Sequence, residues 1–245
     1  MNPYKNGYSV LPQLERLELE ESPFHRDENY DHYIEEKKKA CKSQQVYLLH
    51  NIFLTSRVLS YLEDLINIHA NWVKPPYTLD NIAMQLQEDI AIHSAINGKD
   101  SLEATHVCFP SGWRPEEKIG KPLSEIHAPI PGMNLSNSYK LAETASQQGP
   151  FKRFVWSPVF ENKINFHPDL PKQKFNPSNP FVKVKVEKQI TIPIPKLNCF
   201  IFILRQYLVD PVFPDLHNAC AGMTPEQRKY KNIDERFLQY LSEKK

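Results

Sequence analysis

A chain of 245 residues with 40% hydrophobic and 11% aromatic content is long enough for one substantial core and too apolar for a disordered protein. Its 30 basic and 29 acidic residues leave a net charge of +1, so there is no broad positive field to hold nucleic acid. The most apolar windows, around 46–54 and 199–204, are too short to span a bilayer, and Met1-Asn2-Pro3-Tyr4-Lys5-Asn6 lacks the apolar run of a secretory leader, which together imply no membrane insertion and a cytoplasmic protein. The cysteines at 41, 108, 199 and 220 form no C-x-x-C pair. Their spacing fits neither a disulfide framework nor a zinc site nor an iron–sulfur motif, and reads as reduced, buried thiols.

Seven glycines against 21 prolines, the latter clustered in 110–131, 158–180 and 193–214, predict stiff connections. In chain order, residues 27–42 carry Tyr30, Tyr33 and Ile34 at helical spacing behind Asp27. Residues 51–68 place Leu54, Val58, Leu62, Leu65 and Ile66 on one helical stripe. From Met84 the period becomes two, predicting strands near 86–92 and 104–109. Lys118–Ile126 and Leu135–Gln147 read as helical, and 151–156, 182–192 and 199–207 as three further strands. In 182–187, Val182, Val184 and Val186 alternate with Lys183, Lys185 and Glu187, the pattern of a half-buried antiparallel strand. Thr224-Pro225-Glu226 opens a last helix.

That order predicts a single α+β domain. A five-stranded, mostly antiparallel sheet with helices on one face forms the core over 84–210, flanked by an N-terminal helical extension (1–75) and a C-terminal helix (224–245). Strand–strand–helix–helix–strand–strand–strand is the order of a PAS-like fold, whose sheet and intervening helices commonly enclose a ligand.

The densest signal is the stretch from Cys108 to Gly132, where five prolines surround the single histidine His127. Pro129 and Pro131 restrict the backbone just beyond it and would fix the direction of its imidazole, either toward a bound group or into a hydrogen-bonded turn.

The chain resembles the haem-dependent oxidative N-demethylase α-subunit family. The likeness rests on Gln87-Glu88-Asp89, Phe109-Pro110-Ser111-Gly112-Trp113, Glu117-Lys118-Ile119-Gly120 and Ile126-His127-Ala128-Pro129-Ile130-Pro131. Arg153 with Trp156, Val186-Glu187-Lys188-Gln189, Phe202–Tyr207 and Tyr230-Lys231 extend it. The resemblance implies a PAS-like enzyme with a non-covalent haem b and His127 as axial ligand of the iron, His93 and His167 being the alternatives. Lys118, Trp113 and Arg205 are its further haem-binding candidates, and Arg153 and Glu187 its catalytic ones, the carboxylate orienting a cationic amine. The implied reaction takes a small methylated amine and dioxygen to demethylated amine and formaldehyde. Electrons would come from a flavin/iron–sulfur reductase partner, with a folate-binding subunit accepting the formaldehyde. A non-catalytic haem- or small-ligand-binding sensor or storage module is the alternative, and a haem-free scaffold subunit a third. The chain departs from the family pattern at Val155, where asparagine is expected, and at Lys188, where arginine is.

Overall fold

The computed structural model describes residues 2–11, 13–18 and 20–244. Among these residues seven strands form one sheet: β1 (Glu15–Arg16), β2 (Tyr47–Leu49), β3 (Asp89–Ile96), β4 (Lys99–His106), β5 (Phe151–Val159), β6 (Lys183–Ile194) and β7 (Cys199–Val209). Their order across the sheet is β1-β5-β6-β7-β3-β4-β2, each antiparallel to its neighbours. The five expected strands are all present. The sheet is wider than expected because β1 and β2, from the segment anticipated to be purely helical, pair onto its two ends. Asn97 and Gly98, both at positive φ, make the two-residue turn between β3 and β4 and set their register.

Among the described residues eight α-helices accompany the sheet: α1 (Tyr30–Ser43), α2 (Ile52–His69), α3 (Leu79–Ala83), α4 (Leu123–His127), α5 (Ser138–Gln147), α6 (Phe213–Ala221), α7 (Pro225–Tyr230) and α8 (Glu235–Ser242). Asn51 caps α2 by accepting from the Leu54 amide, and Thr224 with Gln227 forms a reciprocal capping box on α7. The predicted stripe Leu54, Val58, Leu62 and Ile66 is buried against Ile90, Ile92, Ile201 and Ile203 on what we call the back of the sheet. Each such side chain contributes roughly 1.5–3 kcal/mol on burial. Further along the back, α6 and α8 cover Val184, Val186 and Trp156.

Helices do not keep to one face, as the sequence suggested. Ala142 and Ala145 of α5 pack on Ala95 and Phe200 at the front. The reason lies in β6, where Lys185, Lys188 and Gln189 are buried alongside the valines. A strand buried on both sides needs a cover on each.

Gln87, Glu88 and Asp89 are buried at the start of β3 and bind the N-terminal segment. The Glu88 carboxylate accepts from the His25 amide, and Gln87 exchanges hydrogen bonds with Asp27. Asp89 pairs with the buried ammonium of Lys37 at 3.1 Å. Arg205 completes this network on the back, 2.9 Å from Glu88 and 2.5 Å from Asp27.

Candidate functional site

The front face of the sheet, α4 and α5 enclose a mostly apolar cavity of about 290 Å³. Phe200, Phe202 and Leu204 of β7 form its floor, with Leu123, Ile126 and Leu141 above. A second, more polar chamber of about 500 Å³ adjoins it. Ser111, Gly112, Arg153, Val155, Glu187 and Tyr230 border both.

His127 ends α4 and lines the apolar chamber. The helix is set in place by Asp100, which accepts from the Leu123 amide at 2.6 Å and from the Ser138 hydroxyl at 2.9 Å. The His127 Nδ1–H donates to the Leu123 carbonyl at 2.9 Å. That bond fixes the tautomer and leaves Nε2 with a lone pair and no partner among the described residues. Burial lowers the His127 pKa below its ordinary value; the Leu123 carbonyl opposes this, and Arg153 and His93 add to it. A neutral imidazole results at neutral pH.

His93, on β3, lines the same cavity, its Nε2 bonded to Asp100 at 3.1 Å and its ring tilted over Phe200. Nδ1 is its remaining nitrogen. Burial by itself would raise the Asp100 pKa, but the hydrogen bonds from His93, Leu123 and Ser138 outweigh it and hold it low. His167 lines the polar chamber instead. Its Nδ1 accepts from the Asp169 amide, so Nε2 carries the proton and has no lone pair for a metal.

Two cations face the apolar chamber. Arg153 donates through Nε to Gln189, and its terminal nitrogens have no partner among the described residues. Lys118 is buried, and that burial lowers its pKa. It is placed by the turn at Gly120, whose φ is +75° and where a Cβ would stand 3.0 Å from the His50 ring. Trp113 is a wall of the same chamber, following Gly112, whose amide donates to the Phe166 carbonyl beside a parallel bridge between Ser111 and Phe166. Trp156 lies on the back, packed between Tyr4 and Tyr8.

Glu187 borders both chambers. Its carboxylate accepts from Ser111 at 3.1 Å, from Gln206 at 2.6 Å and from Gln189, and it makes no salt bridge among the described residues. Of about four acceptor positions on a carboxylate, these leave one free.

Arg205 must be reassigned. Odd-numbered residues of β7 point to the back, where Ile201 and Ile203 join the core, and the guanidinium is spent on Glu88 and Asp27. It reaches neither chamber. Lys188 also points back, 2.6 Å from Glu21, so the departure from arginine there lies away from the cavity. Val155 does border it.

Residues 47–237 match the family model described as haem-dependent oxidative N-demethylase, alpha subunit-like. The chain belongs to this family. Within it, the resemblance blocks of this N-demethylase-like chain divide by position: Ser111–Trp113, Lys118, Ile126, His127, Arg153 and Glu187 border the chambers, whereas Glu88 and Arg205 meet on the back.

Sequence reading missed Lys185 and misjudged the strand bearing it. Lys185 is buried, donates to Ser111 at 2.9 Å and lies over the Phe166 ring, and desolvation lowers its pKa to about 8. Lys231, from the Tyr230-Lys231 pair, is likewise lowered to about 8 by burial while donating to the Trp156 carbonyl at 2.6 Å. The alternation in 182–187 is real, but Lys185 and Glu187 of its charged side face these chambers, not solvent. Among the described residues no helix is long and apolar enough to cross a membrane.

Proposed function

We propose that the chain is a haem-dependent oxidative N-demethylase acting on a small methylated amine, with haem b bound non-covalently on the front of a PAS-like core. In support, the central strands lie in the order β5-β6-β7-β3-β4, with α4 and α5 inserted between the second and third of them in sequence. The donor set suits the group. His127 offers a neutral nitrogen, Phe200, Phe202 and Leu141 offer apolar walls, and Arg153 and Lys118 are desolvated cations that make no salt bridge among the described residues, as anchoring propionates requires. The apolar and polar chambers share Ser111, Arg153 and Glu187, and together would offer more room for a porphyrin than the apolar one does by itself.

The observation that carries the catalytic reading is Glu187: a carboxylate beside the His127 chamber, held by neutral donors and carrying no bound cation. A small amine is cationic at neutral pH, and the free acceptor position of Glu187 would bind its N–H and fix the direction of its methyl group. Gln189, Gln206 and Ser111 hold the carboxylate in one orientation, so little ordering is left for the moment of reaction. Phe200 and Phe202, on the floor of the apolar chamber, would limit water there. The chemistry haem supplies when bound is dioxygen-dependent oxidation of the N-methyl group to a hemiaminal, which breaks down to demethylated amine and formaldehyde. The electrons would come from a separate flavin/iron–sulfur reductase, and a folate-binding subunit would take the formaldehyde.

The test is spectroscopic and then chemical. Purified protein supplied with haem is expected to show a Soret band that His127→Ala abolishes or strongly weakens and His217→Ala preserves. Glu187→Ala is expected to keep the haem and lose amine-dependent formaldehyde release in the presence of reductant. A Soret band lost in His93→Ala but kept in His127→Ala would move the ligand to His93. Haem uptake without formaldehyde from any small methylamine would make the chain a binding module, and no uptake at all would end both readings.

A further inference from the structure

The cysteine spacing that excluded a metal site in the sequence does not survive folding. Cys41 at the end of α1, His106 at the end of β4 and Cys108 just beyond it bring their donor atoms within 4.8 Å of one another. The Cys108 Sγ is 3.9 Å from His106 Nδ1. Sulfur and nitrogen donors sharing a tetrahedral zinc, at bond lengths of ~2.3 and ~2.1 Å, stand about 3.6 Å apart, so little movement is needed to close on an ion.

The surroundings prepare the same cluster for a metal. His106 Nε2 donates to Asp80 of α3 at 3.1 Å, which leaves the Nδ1 lone pair aimed at the thiols and supplies the carboxylate–histidine support that metal-bound imidazoles usually have. The Met84 thioether lies 3.5 Å from Cys41 Sγ, adding a soft donor at the rim. His106 and Cys108 are buried while Cys41 is exposed, so the site has a floor and an entrance. None of the three lines either chamber, and His106 points to the back of the sheet beside Ile90 and Ala104. The cluster is therefore separate from the proposed haem site.

We propose that Cys41, His106 and Cys108 bind one thiophilic d¹⁰ metal ion, Zn²⁺ or Cu⁺, with the fourth position open to water or to Met84. Two thiolates and one imidazole are the donors both ions prefer over the harder oxygen-seeking cations. Bound there, the ion would join α1 to β4 and, through Asp80, to α3, giving it a structural role.

The test uses full-length protein, reduced and freed of metal with a chelator, with no haem added. It is titrated with Zn²⁺, with Co²⁺ as the spectroscopic stand-in, and separately with Cu⁺ under argon. The expected result is one equivalent per chain, protection of Cys41 from iodoacetamide, and a higher Tm. A thiolate-to-cobalt charge-transfer band with tight Zn²⁺ binding assigns the divalent ion; tight binding confined to Cu⁺ assigns the monovalent one. Because Cys108 is buried, the informative variants are at exposed positions: Cys41→Ser should weaken binding by at least ~100-fold, and Asp80→Asn by about 10–100-fold. Failure of the reduced protein to take up either ion overturns the proposal, whether or not a Cys41–Cys108 disulfide forms in air. So does Cys41→Ser binding metal as tightly as the parent.

Discussion

Val155 stands directly opposite Glu187 in the β5–β6 ladder, placing an isopropyl group beside the carboxylate where the resemblance leads us to expect a carboxamide. Val155→Asn is expected to leave haem content unchanged and to alter KM across a series of methylamines, since it changes what the bound amine touches and not what holds the porphyrin. Equal kinetics for every amine would remove Val155 from the substrate pocket. Lys185 carries a different consequence. Its pKa is about 8 in the folded chain against an ordinary value of 10.5, so between those two values the unfolded chain binds more protons and stability rises with pH. Lys185→Met should therefore stabilise the protein at pH 7, by as much as about 3 kcal/mol, with the gain shrinking to nothing near pH 10.5. Parallel pH profiles of Tm for parent and variant would refute this. His127 runs the other way as a ligand: haem uptake should hold through neutral pH and decline only in acid, below the ordinary histidine range, when Nε2 is protonated.

At the scale of elements, α4 is only five residues long and owes its position to what grips its ends. Asp100 reaches from β4 to the first amide of α4, the first hydroxyl of α5 and the His93 ring. Asp100→Ala is expected to cost roughly 1.5–3 kcal/mol and, because it frees the helix carrying His127, to loosen haem, although Asp100 is not itself a cavity wall. Chemical denaturation together with haem titration reads both effects; loss of stability without loss of affinity would mean α4 is held by other means. The strands were legible because valine, isoleucine and phenylalanine alternate in them, but two were misplaced along the chain. Reading β3 as 86–92 and β4 as 104–109 passed over Asn97-Gly98, the dipeptide that makes the tight turn and draws both strands toward it. Strands β1 and β2 were not legible at all. Segments of two and three residues have too little length for a period, and only their partners β5 and β4 define them.

Across the whole molecule, Glu88 and Arg205 on the back, with Asp89 at the start of β3, bind residues 25–37 to the sheet. Arg205→Met leaves Glu88 buried without its cation and is expected to cost about 3–5 kcal/mol while leaving the haem spectrum of the folded protein unaltered. A changed Soret band with little change in stability would instead return Arg205 to the haem site. Nothing in the sequence showed that Arg205 and Arg153 take opposite faces, since both sit in β-rich runs; the side of the pleat each occupies follows only once register is set. The same partition makes β6 a two-sided object. Lys185, Glu187 and Gln189 face the chambers, and Val184, Val186 and Ile190 face the core. If every substitution along this strand were scored twice, for cellular abundance and for turnover, the two maps would disagree with a beat of two residues. The valine and isoleucine positions would fail in both maps, whereas changes at Glu187 would accumulate as intact but idle protein.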